Sequence, residues 1–103
     1  MSDAESSPGG IDKLIHEPAR LLIMSNLAVV ESADFLFLQG QTGLTFGNLS
    51  SHMSRLEEAG YLKVEKKFIA KKPNTILSLT STGRKAFDLY RRQMMEMLEE
   101  ETG

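Results

Sequence analysis

The sequence predicts a mainly α domain with one small β-hairpin: three helices, the hairpin, then a long final helix. Three observations predict it. Apolar residues recur at spacings of three and four over 46–56 and again over 87–97, the period of a helix with one covered face. Two alternating segments, 61–69 and 75–79, flank the turn-forming run Ala70-Lys-Lys-Pro-Asn74. Glycines at 40, 43 and 60 break the chain between the helical stretches. At 103 residues the chain is one domain with a modest core.

Residues 1–10 are rich in Ser, Gly and acids and are expected to form a disordered leader before a domain spanning 11–101. Pro18 suits a first helical turn, where its missing N–H costs nothing. The helix it starts runs to Val30 and is apolar on most sides, with Leu21, Leu22, Ile23, Met24, Leu27, Ala28, Val29 and Val30. Such a helix needs more cover than a small core supplies, or a partner chain. Ser32–Gln39 reads as a short extended piece passing into a short helix, which Gly40 and Gly43 keep from running on. Thr45 is a fitting N-cap for the next helix, and Gly60 a fitting left-handed stop. Thr80-Ser-Thr-Gly-Arg84 opens the final helix, which runs to about Glu100.

Composition excludes several classes of chemistry. The chain has no cysteine, so disulfides, thiolate metal sites and cysteine nucleophiles are absent. His16 and His52 are isolated and give no metal-ligand spacing. No acid–base pair, activated nucleophile or phosphate-cradling glycine loop stands out, so neither an enzyme nor a cofactor is expected. No apolar run approaches the ~18 residues of a membrane span, and the N-terminus lacks signal-peptide features, so the expected location is cytoplasmic.

The formal charge of −2 hides an uneven distribution. From Thr45 to Lys85 eight basic residues stand against three acidic ones, a local +5. The rest of the chain carries four basic and eleven acidic residues, −7. Because charges are screened beyond roughly 8 Å at physiological salt, a phosphate backbone responds to the local excess.

On a helical wheel, Phe46, Leu49, Met53 and Leu56 form the inward stripe of the third helix. The opposite side carries Gly47, Asn48, Ser51, Ser54, Arg55 and Glu58, with His52 at the border. Gly and Ser keep that side slim enough for a major groove about 12 Å wide, and Asn and Arg are the side chains that read adenine and guanine edges bidentately. Asn48, Ser51, Arg55 and Gly47 are therefore the candidate base readers. Thr45, Lys63, Lys66, Lys67, Lys71, Lys72 and Arg84 are the candidate phosphate contacts. Taken alone, a small polar face is ordinary solvent surface, and hairpin lysines also protect an edge strand. Being consecutive in the chain, the two features are expected to be neighbours in space.

Three words of the sequence, His16-Glu-Pro-Ala-Arg-Leu-Leu-Ile23, Gly47-Asn-Leu-Ser-Ser-His-Met-Ser-Arg-Leu-Glu-Glu-Ala-Gly-Tyr61 and Leu79-Thr-Ser-Thr-Gly-Arg84, resemble the winged helix-turn-helix regulators of the MarR- and ArsR-like branch, especially its small stand-alone members. The resemblance covers roughly residues 14–92. It implies a three-helix core, a two-stranded wing and a long C-terminal helix. It further implies that Thr45–Ala59 enters the major groove of double-stranded DNA, that the loop 70–74 is the wing, and that the protein acts as a homodimer. The clusters of metal-sensing relatives are missing, and the sequence names no small-molecule effector.

The final helix supports dimerisation independently. Phe87, Tyr90, Met94 and Met97 form a stripe, widened by Ala86, Leu89 and Leu98. With Leu22 and Leu27 of the first helix, Phe87, Tyr90, Met94, Met97 and Leu98 are the expected dimer interface. The alternative is a winged-helix protein–protein interaction module that binds no DNA.

Overall fold

The computed structural model describes residues 10–102, with side chains described through residue 99. The predicted leader, Gly10 apart, lies outside the described residues. Seven elements follow: α1 (Pro18–Ala28), β1 (Ala33–Asp34), α2 (Phe35–Thr42), α3 (Phe46–Glu58), β2 (Leu62–Ile69), β3 (Lys72–Leu79) and α4 (Ser81–Thr102).

Each helix start has a local cause. Glu17 Oε1 accepts from the Arg20 N–H at 2.8 Å, ahead of Pro18. Asp34 Oδ1 accepts from Phe37 N–H at 2.7 Å, and Thr45 Oγ1 from Asn48 N–H at 3.1 Å. The stops are equally specific. Gly43 (φ 72°) ends α2, which runs straight through Gly40. Gly60 (φ 82°) ends α3: its N–H donates to Glu57 O and that of Tyr61 to Leu56 O, so two of the helix's last carbonyls are satisfied. α1 stops at Ala28, two residues before the predicted end.

The sheet is antiparallel in the order β1-β3-β2, so the extended piece at Ala33–Asp34 is a third strand, paired with Leu77 and Ile76. The hairpin differs from expectation. Its loop is only Ala70-Lys71, both with positive φ (53° and 68°), because Lys72 pairs with Ile69 and Pro73 with Phe68. Two consecutive left-handed residues make the tight loop whose twist matches the strands. After the hydrogen-bonded closing pair, Pro73 falls at a non-hydrogen-bonded position and needs no N–H.

The core joins Ile23, Met24 and Leu27 of α1, Leu38 of α2, Leu49 and Leu56 of α3, and Leu77 of β3, all fully or almost fully buried. Ile11, Leu14 and Ile15 join it from the segment before α1, as do Phe87 and Tyr90 of α4. That packing corrects the predicted dimer interface. Leu27, Phe87 and Tyr90 are core residues of their own chain, and Met94 packs partly against the same core. Leu22, Met97 and Leu98 remain exposed. Phe46, expected in the inward stripe of α3, is 64% exposed and lies tilted against Phe35, ring centroids 4.9 Å apart.

Candidate nucleic-acid interface

α3 is held as a rigid unit. Leu49 and Leu56 seat it in the core, so the face half a turn away must point outward. Gly47, Asn48, Ser51, Ser54 and Arg55 are all exposed there, and a Cβ added at Gly47 would meet nothing within 4 Å. The four predicted base readers therefore share one open helix face. Thr45 is exposed too, but its hydroxyl oxygen is occupied as the α3 cap.

The hairpin distributes its lysines by strand alternation. Leu62, Val64, Lys66 and Phe68 share the inward-facing side of β2 with Leu79, Leu77, Thr75 and Pro73 opposite them. Lys66 thus lines a groove of about 330 Å³ between α3 and the hairpin, with Phe46, Ser50 and Met53 on the helix side. Lys63 and Lys67 lie on the other side, where Glu65 sits 3.7 Å and 3.9 Å from their ammonium groups. Those pairs are exposed and weak, yet they offset part of the positive field. Among the described residues Lys66, Lys71 and Lys72 have no acidic partner, and Lys71 stands at the tip of the loop.

Arg84 has partners in its own chain. Its guanidinium donates to Ala28 O at 3.3 Å and Val30 O at 2.9 Å, so it clasps the C-terminal end of α1 and does not join the lysines. Carbonyls left over at a helix end are natural partners for a cation.

Arg20 was not singled out by sequence reasoning. It is the buried charged residue among those described, at 8% exposure, and links α1 to Leu14 O and to His52 of α3. A lone arginine on an otherwise apolar helix was the available signal. A second tie, the Tyr61 hydroxyl donating to the Asp12 carboxylate, fixes the end of α3 to the N-terminal segment. Burial first, then the bond to Asp12 and its charge, push the Tyr61 phenol well above its ordinary pKa, so it stays a donor.

A winged helix DNA-binding domain family model matches residues 19–98, most of the chain. The protein belongs to that family. This winged-helix protein is 32% identical over 85 residues to an uncharacterized protein of Methanocaldococcus jannaschii, covering 82% of this chain and 92% of the relative. It superimposes on a transcriptional regulator homologue from Pyrococcus horikoshii OT3 with a TM-score of 0.81 and 31% identity, over 85% of this chain and 87% of that one. A MarR-family regulator from Porphyromonas gingivalis W83 shares the fold (TM-score 0.67, 18% identity, 84% of each chain). The winged-helix protein thus has a MarR-like regulator fold in a DNA-binding family. No helix among its described residues is long and apolar enough to cross a membrane.

Proposed function

We propose that this winged-helix protein is a sequence-specific double-stranded DNA-binding transcriptional regulator that acts as a homodimer. The observation that carries the reading is the slim, exposed face of α3 beside a hairpin with unpaired lysines. In this account α3 enters the major groove, where Asn48, Ser51 and Arg55 read base edges and Gly47 allows close approach. Lys66, Lys71 and Lys72 hold phosphates, with Lys63 and Lys67 as secondary contacts shared with Glu65. Thr45 stands at the N-terminus of α3, where a phosphate is favoured. The domain occupies 11–101, and the far end of α4 joins the two copies.

Support for the dimer comes from apolar surface left uncovered on α1 and α4. Leu22, Leu89, Met95, Met97 and Leu98 are exposed, as is Val29, at 82%, just after α1. At 1.5 Å per residue, the 22 residues of α4 extend ~33 Å, so its last turns project beyond the core that covers Phe87 and Tyr90. A twofold dimer would set two recognition helices ~34 Å apart, one turn of duplex.

A protein-docking role is the second reading, favoured by the exposed Leu36 and Phe46 lining the α3–hairpin groove. Selection of a site from random duplex DNA, followed by titration of Asn48→Ala and Arg55→Ala, separates the two. The DNA reading expects losses of ~1–3 kcal/mol on the selected site and little on random DNA. Failure to select any site supports docking.

A further inference from the structure

His52 sits where two parts of the molecule meet, and its hydrogen bonding fixes what it presents to the outside. On its inner side the Arg20 Nη1 lies 3.1 Å from His52 Nδ1. A guanidinium has donors and no acceptor, so Nδ1 must be the accepting nitrogen. In the neutral ring the proton then resides on Nε2. Arg20 has little freedom to change this arrangement, because it is buried and its Nε–H is engaged by Leu14 O.

His52 is half-buried, so its ring keeps an exposed edge, and the Glu17 carboxylate acts on it electrostatically from the start of α1. Its place on α3 is specific. His52 follows Asn48 by four positions and precedes Arg55 by three, so the three side chains are neighbours along one edge of the helix. A fixed N–H donor therefore stands in line with two of the proposed base readers.

We propose that His52 is a further DNA contact, donating Nε2–H to a hydrogen-bond acceptor of the duplex, and that Arg20 is the positioning residue that fixes this tautomer. The inference rests on α3 being the recognition helix. Arg20 does not touch DNA. It is buried, holds Leu14 O and fixes the orientation of the partly exposed His52 ring. The acceptor is either a base edge or a phosphate oxygen, and the two are distinguishable.

Two substitutions divide the ring's functions. His52→Asn places an amide oxygen near the Nδ1 position, keeping an acceptor for Arg20, and removes the outer donor. His52→Gln places an amide N–H near the Nε2 position and takes the acceptor from Arg20. The experiment measures binding to the selected site and to random duplex, thermal unfolding, and the imidazole nitrogen shifts of His52 in the unaltered protein. His52→Asn is expected to unfold within a few degrees of the parent yet bind roughly fivefold or more weakly. A loss confined to the selected site identifies a base acceptor, and an equal loss on both duplexes a phosphate.

Arg20→Lys supplies the readout a purely structural role would not move. Its ammonium lacks the guanidinium fork, and the His52 nitrogen signature is expected to change from the Nε2–H form to a mixture. Unaltered binding by His52→Asn, or an Nδ1–H tautomer in the parent protein, overturns the proposal. If Asn48→Ala and Arg55→Ala also leave binding unaltered, the recognition-helix reading itself has failed. If they weaken it while His52→Asn does not, only this inference falls.

Discussion

The carbonyl of Tyr61 occupies the space a side chain at position 83 would need: a Cβ built on Gly83 would lie 2.2 Å from Tyr61 O. Thr80 makes the closeness possible. Its hydroxyl donates to Gly60 O and accepts from the Gly83 N–H at 2.9 Å, while its own N–H donates to Tyr61 O at 3.0 Å. The end of α3, the first strand of the hairpin and the start of α4 are thereby locked at one point.

Gly83→Ala should therefore destabilise the fold, because the neighbour in the way is backbone. Overpacking of this kind costs about 1–3 kcal/mol, and each kcal/mol lowers Tm by roughly 4–8 °C in a domain this size. Thermal unfolding followed by circular dichroism checks it. A Tm equal to the parent's would mean that α4 shifts freely, against the locked joint described above.

The hairpin loop puts Ala70 and Lys71 in the left-handed region without a glycine. Such a conformation costs an ordinary residue roughly 1–2 kcal/mol. Ala70→Gly is expected to raise Tm and leave DNA binding alone. Lys71→Gly is expected to raise Tm but weaken DNA binding, since it removes the tip cation along with the strain. If both variants bind DNA like the parent, Lys71 has no phosphate role.

This loop also shows why part of the hairpin was not legible in the sequence. Lys72, Pro73 and Asn74 have the composition of a turn, and nothing local announces that Pro73 falls where a strand asks for no N–H. That Leu27, Phe87 and Tyr90 of the expected dimer face lie in the core was not legible for a different reason. Periodicity in 87–97 reports that a face is covered but not by what, and Phe87 and Tyr90 belong to the same chain's core as Ile11, Leu14 and Ile15. By contrast, Leu49, Leu56, the Thr45 cap and the Gly60 stop of α3 were legible because each depends on local spacing. Arg84 was counted for its charge, whereas its role depends on carbonyls more than 50 positions away.

Glu17 links pH to stability. Burial raises its pKa, but the hydrogen bond from the Arg20 N–H and the positive charge nearby outweigh that and hold it below the ordinary value. A carboxyl with a depressed folded pKa contributes stability above its unfolded pKa of about 4.3, and that contribution is lost as pH falls through the folded value. Glu17→Gln should thus reduce stability at neutral pH and flatten its decline below about pH 4.3. Parallel stability–pH curves for the two proteins would contradict this.

The dimer proposal predicts that Met97→Glu with Leu98→Glu converts the protein to monomer in sedimentation velocity, with little change in secondary structure. Both side chains lie outside the chain's own core. Phe87→Ala, by comparison, should cost about 3–5 kcal/mol of folding stability, because that ring is in the core. A dimer that survives the double substitution would place the interface elsewhere.

A grip of the hairpin and α3 on duplex DNA is tested most directly by fluorescence anisotropy with random-sequence duplex across a salt series, comparing the parent with Lys71→Ala/Lys72→Ala. The account predicts that log affinity falls linearly with log salt, and that the double variant reduces the slope by up to about two phosphate contacts, roughly 0.9 each. No binding at low salt, or an unchanged slope in the variant, would contradict it.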